Sequence, residues 1–346
     1  MRAVQVKAFG GRENLALVNL PKPSPMAGEV LVRIKAASLN HLDIWVRKGL
    51  PGLRVPVPFV PCSDGAGVIE SVGEGVHLEP GAEVVLYPAW FCGECEACLA
   101  GRENHCRHYS ILGESRGGCL AEFVVVPERM VFKKPEGLSF EEAASFPLAW
   151  LTSWHMMHQK AHVQAGDWVL IQAAASGTGI AALQMAKHFG ARVVATSSKL
   201  EKLACLEDLG ADVVVNYASE NLREVVKKQT QRHGCDVVID HVGEATFADS
   251  MACLARGGRF VTCGGSSGPM LSFDVRHLFI KHQAILGSTM GDTRDFRALL
   301  KEVRPTRDAG KLFPVVDRVL RLEDVSEAYR LLEHRELVGK VVISLA

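Results

Sequence analysis

The chain has 346 residues, 48% of them hydrophobic and 23% charged, and its 39 Lys and Arg balance its 39 Asp and Glu. This is the composition of an ordinary globular protein long enough for two domains; it excludes the fibrous and disordered classes. With no basic excess, neither nucleic acid nor an anionic membrane is an expected partner, which leaves small molecules. Lys7 stands where a secretory signal needs its apolar core, and no run approaches the ~18 apolar residues of a membrane span, so a cytoplasmic protein is expected.

Residues 1 to about 130 read as mainly β. Arg2 to Ala8 and Glu29 to Ala36 are strand-like, with Pro21, Pro23 and Pro25 marking an irregular crossing between them. The Gly-rich stretch from Gly65 to Val76 and the run Glu83 to Tyr87 suggest a small curved sheet with sharp corners. Cys92, Cys95 and Cys98 then recur at two-residue gaps, with Cys106 following. Such thiolates converge on one tetrahedral ion, and four of them close its shell, so one structural zinc is expected. The other cysteines are scattered, which argues for reduced thiols rather than a disulfide framework. His105 and His108 beside the cluster read as surface histidines, and Asp43 with Arg47, four apart, as an ion pair fixing a loop.

From Val169 the pattern changes. Val169-Leu170-Ile171 is a doubly buried strand, small residues follow, and from Gly179 the apolar period is helical up to Gly190. A second buried strand, Arg192 to Thr196, completes a βαβ unit of the kind that holds a dinucleotide at a helix N-terminus. Its fingerprint is imperfect, with Ala174, Ser176 and Gly179 at the three glycine positions and an extra Gly177. Ser176, Gly177, Thr178 and Gly179 are therefore the expected pyrophosphate loop. Asp236 to Asp240, Arg259 to Cys263 and Ala284 to Gly287 continue the alternating strands.

Taken together, the Gly-Glu-Val-Leu-Val strand, Asp64-Gly-Ala-Gly-Val, the four-cysteine lobe, Gly118-Cys-Leu-Ala-Glu-Phe, the βαβ unit, Gly287-Ser-Thr-Met-Gly and Gly339-Lys-Val-Val-Ile resemble the medium-chain dehydrogenase/reductase superfamily. The resemblance implies an α/β fold: a GroES-like β-barrel catalytic domain over 1–130 and 289–346, and a doubly wound parallel-sheet Rossmann domain over 131–288. It also implies a cleft for cofactor and substrate, and a homodimer or homotetramer.

The departures from that family narrow the chemistry. The segment that supplies a catalytic zinc ligand and a relay hydroxyl in zinc alcohol dehydrogenases is here Asn40-His41-Leu42-Asp43; the histidine-ligand segment has become Cys62-Ser63-Asp64; the third ligand position falls near Leu148. Asn40 with Asp43, Arg47 and Gly49, and Leu151-Thr152-Ser-Trp154, instead resemble the quinone oxidoreductase branch, which lacks the catalytic metal. Without a metal an isolated carbonyl is a poor hydride acceptor, whereas a quinone or α,β-unsaturated carbonyl spreads the charge through conjugation. Asn40 as hydrogen-bond donor and Trp45 as a wall are the expected catalytic residues, with Trp150 as a further wall around a flat substrate.

Thr152, Ser197, Ser198, Lys202, Tyr217, Cys263, Gly264 and Ser288 complete the expected cofactor site. Ser197 and Ser198 stand where an NAD enzyme commonly has an acid, and Lys202 and Tyr217 match 2′-phosphate contacts, so NADPH is expected with NADH possible. Two rivals stand beside this reading. One is a zinc-dependent alcohol dehydrogenase with a rearranged site using Cys62, Asp64 and His41; the other is a non-catalytic NADPH-binding protein.

Overall fold

A computed structural model describes residues 1–50, 52, 55–304 and 312–345; positions 305–311 and 346 of the expected C-terminal barrel segment lie outside the described residues. The chain divides into two units, one built from Met1–Leu148 with residues 292–304 and 313–345, the other from Ala149–Gly291 with Leu312.

The first unit contains β1 (Arg2–Val6), β2 (Leu15–Asn19), β3 (Glu29–Ser38), β4 (Asp64–Val72), β5 (Glu83–Leu86), β6 (Ala89–Trp90), β7 (Ser110–Ile111), β8 (Phe123–Pro127) and β9 (Val131–Lys133). Its early helices are α1 (His41–Lys48), α2 (Glu96–Leu99) and α3 (Phe140–Ser145), and from the chain's end come α10 (Thr293–Glu302), α11 (Val325–Glu333), β16 (Val316–Arg321) and β17 (Lys340–Ser344). The main sheet runs β16-β17-β3-β4-β5-β9, with β8 also on β3. Central β3 pairs antiparallel with β4, β8 and β17, so the two ends of the chain meet in one sheet. A Cβ at Gly67 would lie 2.0 Å from the Arg33 carbonyl oxygen, close to the register shift between Ile34 and Ala36, so the bend expected from the glycine density needs hydrogen at this position.

This unit runs on to Leu148 rather than to the expected 130 and resumes at Asp292 rather than at the expected 289, and two packing contacts set these limits. Helix α3 lies on β3 and β4, which ties residues 131–148 to the barrel. Phe296 of α10 inserts among Tyr87, Phe132 and Phe146, with ring centroids 5.6, 5.1 and 6.1 Å away, and so holds residues 292–304 to the same core.

The second unit carries α4 (Pro147–Trp154), β10 (Trp168–Ile171), α5 (Gly177–His188), β11 (Arg192–Ser197), α6 (Leu200–Asp208), β12 (Val213–Asn216), α7 (Leu222–Gln229), β13 (Cys235–Ile239), α8 (Glu244–Cys253), β14 (Leu254–Thr262), α9 (Val275–Ile280) and β15 (Ala284–Gly287). Its six strands are all parallel, in the order β12-β11-β10-β13-β14-β15. That is the doubly wound order, whose direction reverses between β10 and β13, and ligands bind outside the carboxyl ends of strands at such a switch point. Residues Val169, Leu170 and Ile171 are fully buried, as their unbroken apolar run requires of a strand covered on both faces.

Candidate active site and metal centre

The four clustered thiols meet as their spacing predicts. Sγ separations are 3.8 Å for Cys92 to Cys98, 3.5 Å for Cys95 to Cys98, 3.8 Å for Cys95 to Cys106 and 3.6 Å for Cys106 to Cys92. A tetrahedron with arms of the ~2.3 Å Zn–S bond has edges of about 3.8 Å, so the set fits zinc. Backbone N–H groups of Cys92, Cys95 and His108 point at the sulfurs from 3.3 to 3.5 Å, and hydrogen bonding draws the Cys95 thiol down to about 6, favouring the thiolate. His105 and His108 are exposed. Among the described residues this is the only group of three or more His, Cys, Asp or Glu whose ligand atoms converge.

In the second unit, the loop after β10 solves the fingerprint's missing glycines with other residues. Ala173 takes the left-handed turn at φ 48°, a conformation that costs a non-glycine residue energy. Ser176 caps α5, its Oγ accepting the Gly179 N–H at 3.0 Å, while the Gly177 and Thr178 N–H groups belong to the first turn and have no intrahelical acceptor. A Cβ at Gly179 would fall 2.6 Å from the Ala173 carbonyl oxygen, so hydrogen is needed there for helix and loop to pack. These features form a cradle for a pyrophosphate.

The other expected cofactor residues lie along the same carboxyl edge. Ser197 ends β11, its carbonyl accepting the Tyr217 N–H beyond β12 at 3.2 Å. Lys202, in the first turn of α6, is only 8% exposed, unlike an ordinary solvated helix lysine. Cys263 and Gly264 follow β14, and the Ser288 N–H after β15 donates to the Thr262 carbonyl at 2.9 Å. Burial pushes the Cys263 thiol up to about 12, so it stands there as a neutral group. Thr152 lies on α4 beside Ser153, whose hydroxyl donates to the Thr178 carbonyl at 3.0 Å. His241, after β13, was not singled out in the sequence; its Nε2 lies 3.0 Å from Ser176 Oγ, across the switch point. A histidine just past a strand at that point was the available signal.

In the first unit Asn40 sits in a buried polar knot. Its Nδ2 donates to Asp64 Oδ2 at 2.8 Å, and its Oδ1 accepts from Lys340 Nζ at 2.5 Å. Asp64 Oδ1 accepts the Leu148 N–H at 2.9 Å. The register explains the meeting: Ser38 lies opposite both Asp64 of β4 and Val342 of β17, and two further residues along the antiparallel β3–β17 pair bring Asn40 opposite Lys340. Asn40 is 6% exposed, Lys340 5%, Asp43 1% and Asp64 0%. Desolvation pushes the Asp43 carboxyl up to about 7 and raises Asp64 as well, with the Lys340 charge opposing both.

The sequence had missed Lys340 as a site residue, because its partners lie 276 and 300 positions away. The expected Asp43–Arg47 pair does not form. Asp43 instead turns back to accept the N–H groups of Asn40 at 2.6 Å and Cys62 at 3.1 Å, which fixes the start of α1. Arg47 runs the other way, to Glu333 and to the Gly10 carbonyl at 2.5 Å.

The three positions that lack metal ligands gather around Asp64. Ser63 adjoins it, 1% exposed and with no partner for its hydroxyl among the described residues, while Leu148 and Asn40 are bonded to it. Cys62 Sγ faces the Ser38 and Asp64 carbonyls at 3.3 and 3.5 Å, and the His41 ring packs edge-on against half-buried Trp45 at 5.0 Å, so Cys62, Asp64 and His41 do not converge. Trp150, expected as a wall, is 2% exposed and belongs to the core.

Comparison with known proteins gives these geometries a family. The alcohol dehydrogenase GroES-like domain matches residues 26–136 and the zinc-binding dehydrogenase domain residues 177–304. A crystal structure of an NAD-dependent alcohol dehydrogenase superposes with a TM-score of 0.95 at 47% identity, each chain covered in full. An acryloyl-coenzyme A reductase of Metallosphaera sedula is 31% identical over 99% of this chain and 100% of its own length. A human quinone oxidoreductase is 27% identical over 100% of this chain and 98% of its own. The chain thus belongs to the zinc-type medium-chain dehydrogenase/reductase superfamily, as an NAD(P)H-dependent oxidoreductase.

Proposed function

We propose that the protein reduces a quinone or an α,β-unsaturated carbonyl with NADPH, and that no metal acts at the reacting carbonyl. The observation that carries this reading is the knot around Asp64, where the positions of three ligands are taken by an amide, a sealed hydroxyl and a leucine, with an ammonium at hand. A bound nicotinamide would supply a hydride. Two electrons and one proton would reach the conjugated acceptor as that hydride, charge would appear on its oxygen, and a proton from water would complete the product, a saturated carbonyl from an enone or a hydroquinone from a quinone. Asn40 is the donor proposed for that oxygen and Trp45 a wall beside it; hydrogen-bond donors serve the transition state by meeting charge that conjugation has already spread. Names of relatives support both halves of the superfamily's chemistry: quinone and acryloyl-thioester reductases have conjugated acceptors, while the 47% identical structure is called an alcohol dehydrogenase.

The Ser176–Gly179 cradle would hold the pyrophosphate and Ser197, Ser198, Lys202 and Tyr217 the 2′-phosphate, with no acid at the end of β11 to repel it. Thr152, Cys263, Gly264 and Ser288 complete the proposed cofactor contacts. One zinc in the cysteine lobe is structural. A second copy of the chain is the proposed partner of an apolar face comprising Met270, Phe273, Val275, Phe279 and Ile280, 47 to 75% exposed, in the stretch leading to edge strand β15. Among the described residues no helix is long and apolar enough to cross a membrane. A cytoplasmic location is proposed, with the six cysteines outside the lobe as reduced thiols.

The test is NADPH consumption with naphthoquinone and cyclohexenone, set against oxidation of simple alcohols. Turnover of the conjugated acceptors is expected. Alcohol oxidation with indifference to both acceptors would favour the rearranged metal site instead.

A further inference from the structure

The Asn40 amide is gripped at both ends. Its Oδ1 faces the Lys340 ammonium at 2.5 Å, which fixes the flip of the amide, since a reversed side chain would set N–H against N–H. One Nδ2 hydrogen goes to Asp64, and the acceptor left near the other is the Ser38 carbonyl at 3.5 Å, the limit of a hydrogen bond. An ammonium that served only to neutralise Asp64 would close on the carboxylate. Here Nζ stays 3.5 Å from Asp64 Oδ2 and lies a full ångström nearer the neutral amide oxygen. A positive charge at Oδ1 draws electron density from the amide nitrogen and strengthens its remaining N–H as a donor.

We propose that Lys340 is the positioning residue for the second N–H of Asn40, the one held only by the long contact to the Ser38 carbonyl, its ammonium supplying through the amide the positive charge that a metal supplies in the zinc-dependent relatives. The proposal rests on the reading of Asn40 as the donor to the substrate oxygen. Lys340 itself touches no reacting atom in this account.

A double-mutant cycle tests it on the full chain. Turnover and KM for NADPH and for cyclohexenone are measured for wild type, Asn40→Ala, Lys340→Gln and the double variant, with melting temperatures recorded for each. Glutamine can still hydrogen-bond but carries no charge. Lys340→Gln is expected to lower kcat on the order of tenfold while changing the KM for NADPH less than about twofold. The double variant is expected to be no slower than Asn40→Ala, because Lys340 acts only through that amide. If the two losses multiply, the proposal is overturned while the donor reading stands. If Asn40→Ala leaves kcat unchanged, the donor reading fails and the proposal with it. Should Lys340→Gln not fold, Lys340→Arg, which keeps the charge, takes its place and is expected to retain kcat within about threefold, whereas a loss as large as that of Asn40→Ala overturns the proposal. Failure of both to fold makes Lys340 a structural counter-ion and overturns the proposal.

Discussion

Two acids, one ammonium and one amide, all at most 6% exposed, crowd together beside the start of α1, where unpaired charge would be costly. Folded Asp43 keeps its proton up to about pH 7, against 3.8 for an ordinary aspartate, mainly because burial penalises the charge. Between those values the native state holds more protons than the unfolded chain, so this group's contribution to stability declines as pH rises through the window and is flat above it. Unfolding free energies of wild type and Asp43→Asn, measured from pH ~4 to ~7, should therefore diverge. Relative to the variant, wild type is expected to lose up to about 1.4 kcal/mol per pH unit, and a constant difference would mean that Asp43 is ionised throughout. Acids with depressed values, such as Glu70 beside Lys22 and Arg33, act with the opposite sign but cancel in the comparison. Lys202 gives a second test at this scale. A phosphate paired with a positioned ammonium gains a charge-assisted hydrogen bond, so Lys202→Ala should weaken NADPH by about 1 to 3 kcal/mol and NADH much less. Equal losses in calorimetric titrations of the two cofactors would remove the assignment.

At the scale of elements, the sequence was most legible where the pattern is local. The run Val169–Ile171, the helical period after Gly179 and the strand from Arg192 each depend on residues a few positions apart, and β10, α5 and β11 appear where that periodicity placed them. The cysteine lobe is local in the same sense, since Cys92 to Cys106 close their tetrahedron within one loop and one short helix. Changing Cys95 to Ser should accordingly release the zinc and lower the melting temperature while leaving NADPH affinity of the folded fraction nearly unchanged; elemental analysis and calorimetry read the two effects separately. The polar knot was illegible for the opposite reason. Asn40 meets Lys340 only through strand register between the two ends of the chain, and Asp43 missed its i+4 partner because an N–H at the start of α1 was the nearer claim. Ala173 at φ 48° shows a milder failure, with a turn that glycine usually makes being made by a strained alanine.

Across the whole molecule, the alternation of strands and helices from β10 onward pointed to a parallel sheet, and the family resemblance implied its doubly wound order. The first unit extends to Leu148 and resumes at Asp292 because packing of α3 and Phe296, which no local pattern announces, sets its limits. The exposed apolar face around Phe279 is the proposed oligomer contact. Light scattering should find a dimer or tetramer for wild type and a smaller species for Phe279→Glu, whereas a monomeric wild type would leave that face without its proposed partner. The central claim, conjugated-carbonyl reduction with a structural zinc and no catalytic one, is tested most directly by measuring zinc per chain and both reaction rates on one preparation, before and after a mild chelator that spares the cysteine lobe. One zinc per chain and an NADPH–cyclohexenone rate unchanged by the chelator are predicted. Two zincs per chain, with alcohol oxidation that the chelator abolishes, would contradict it.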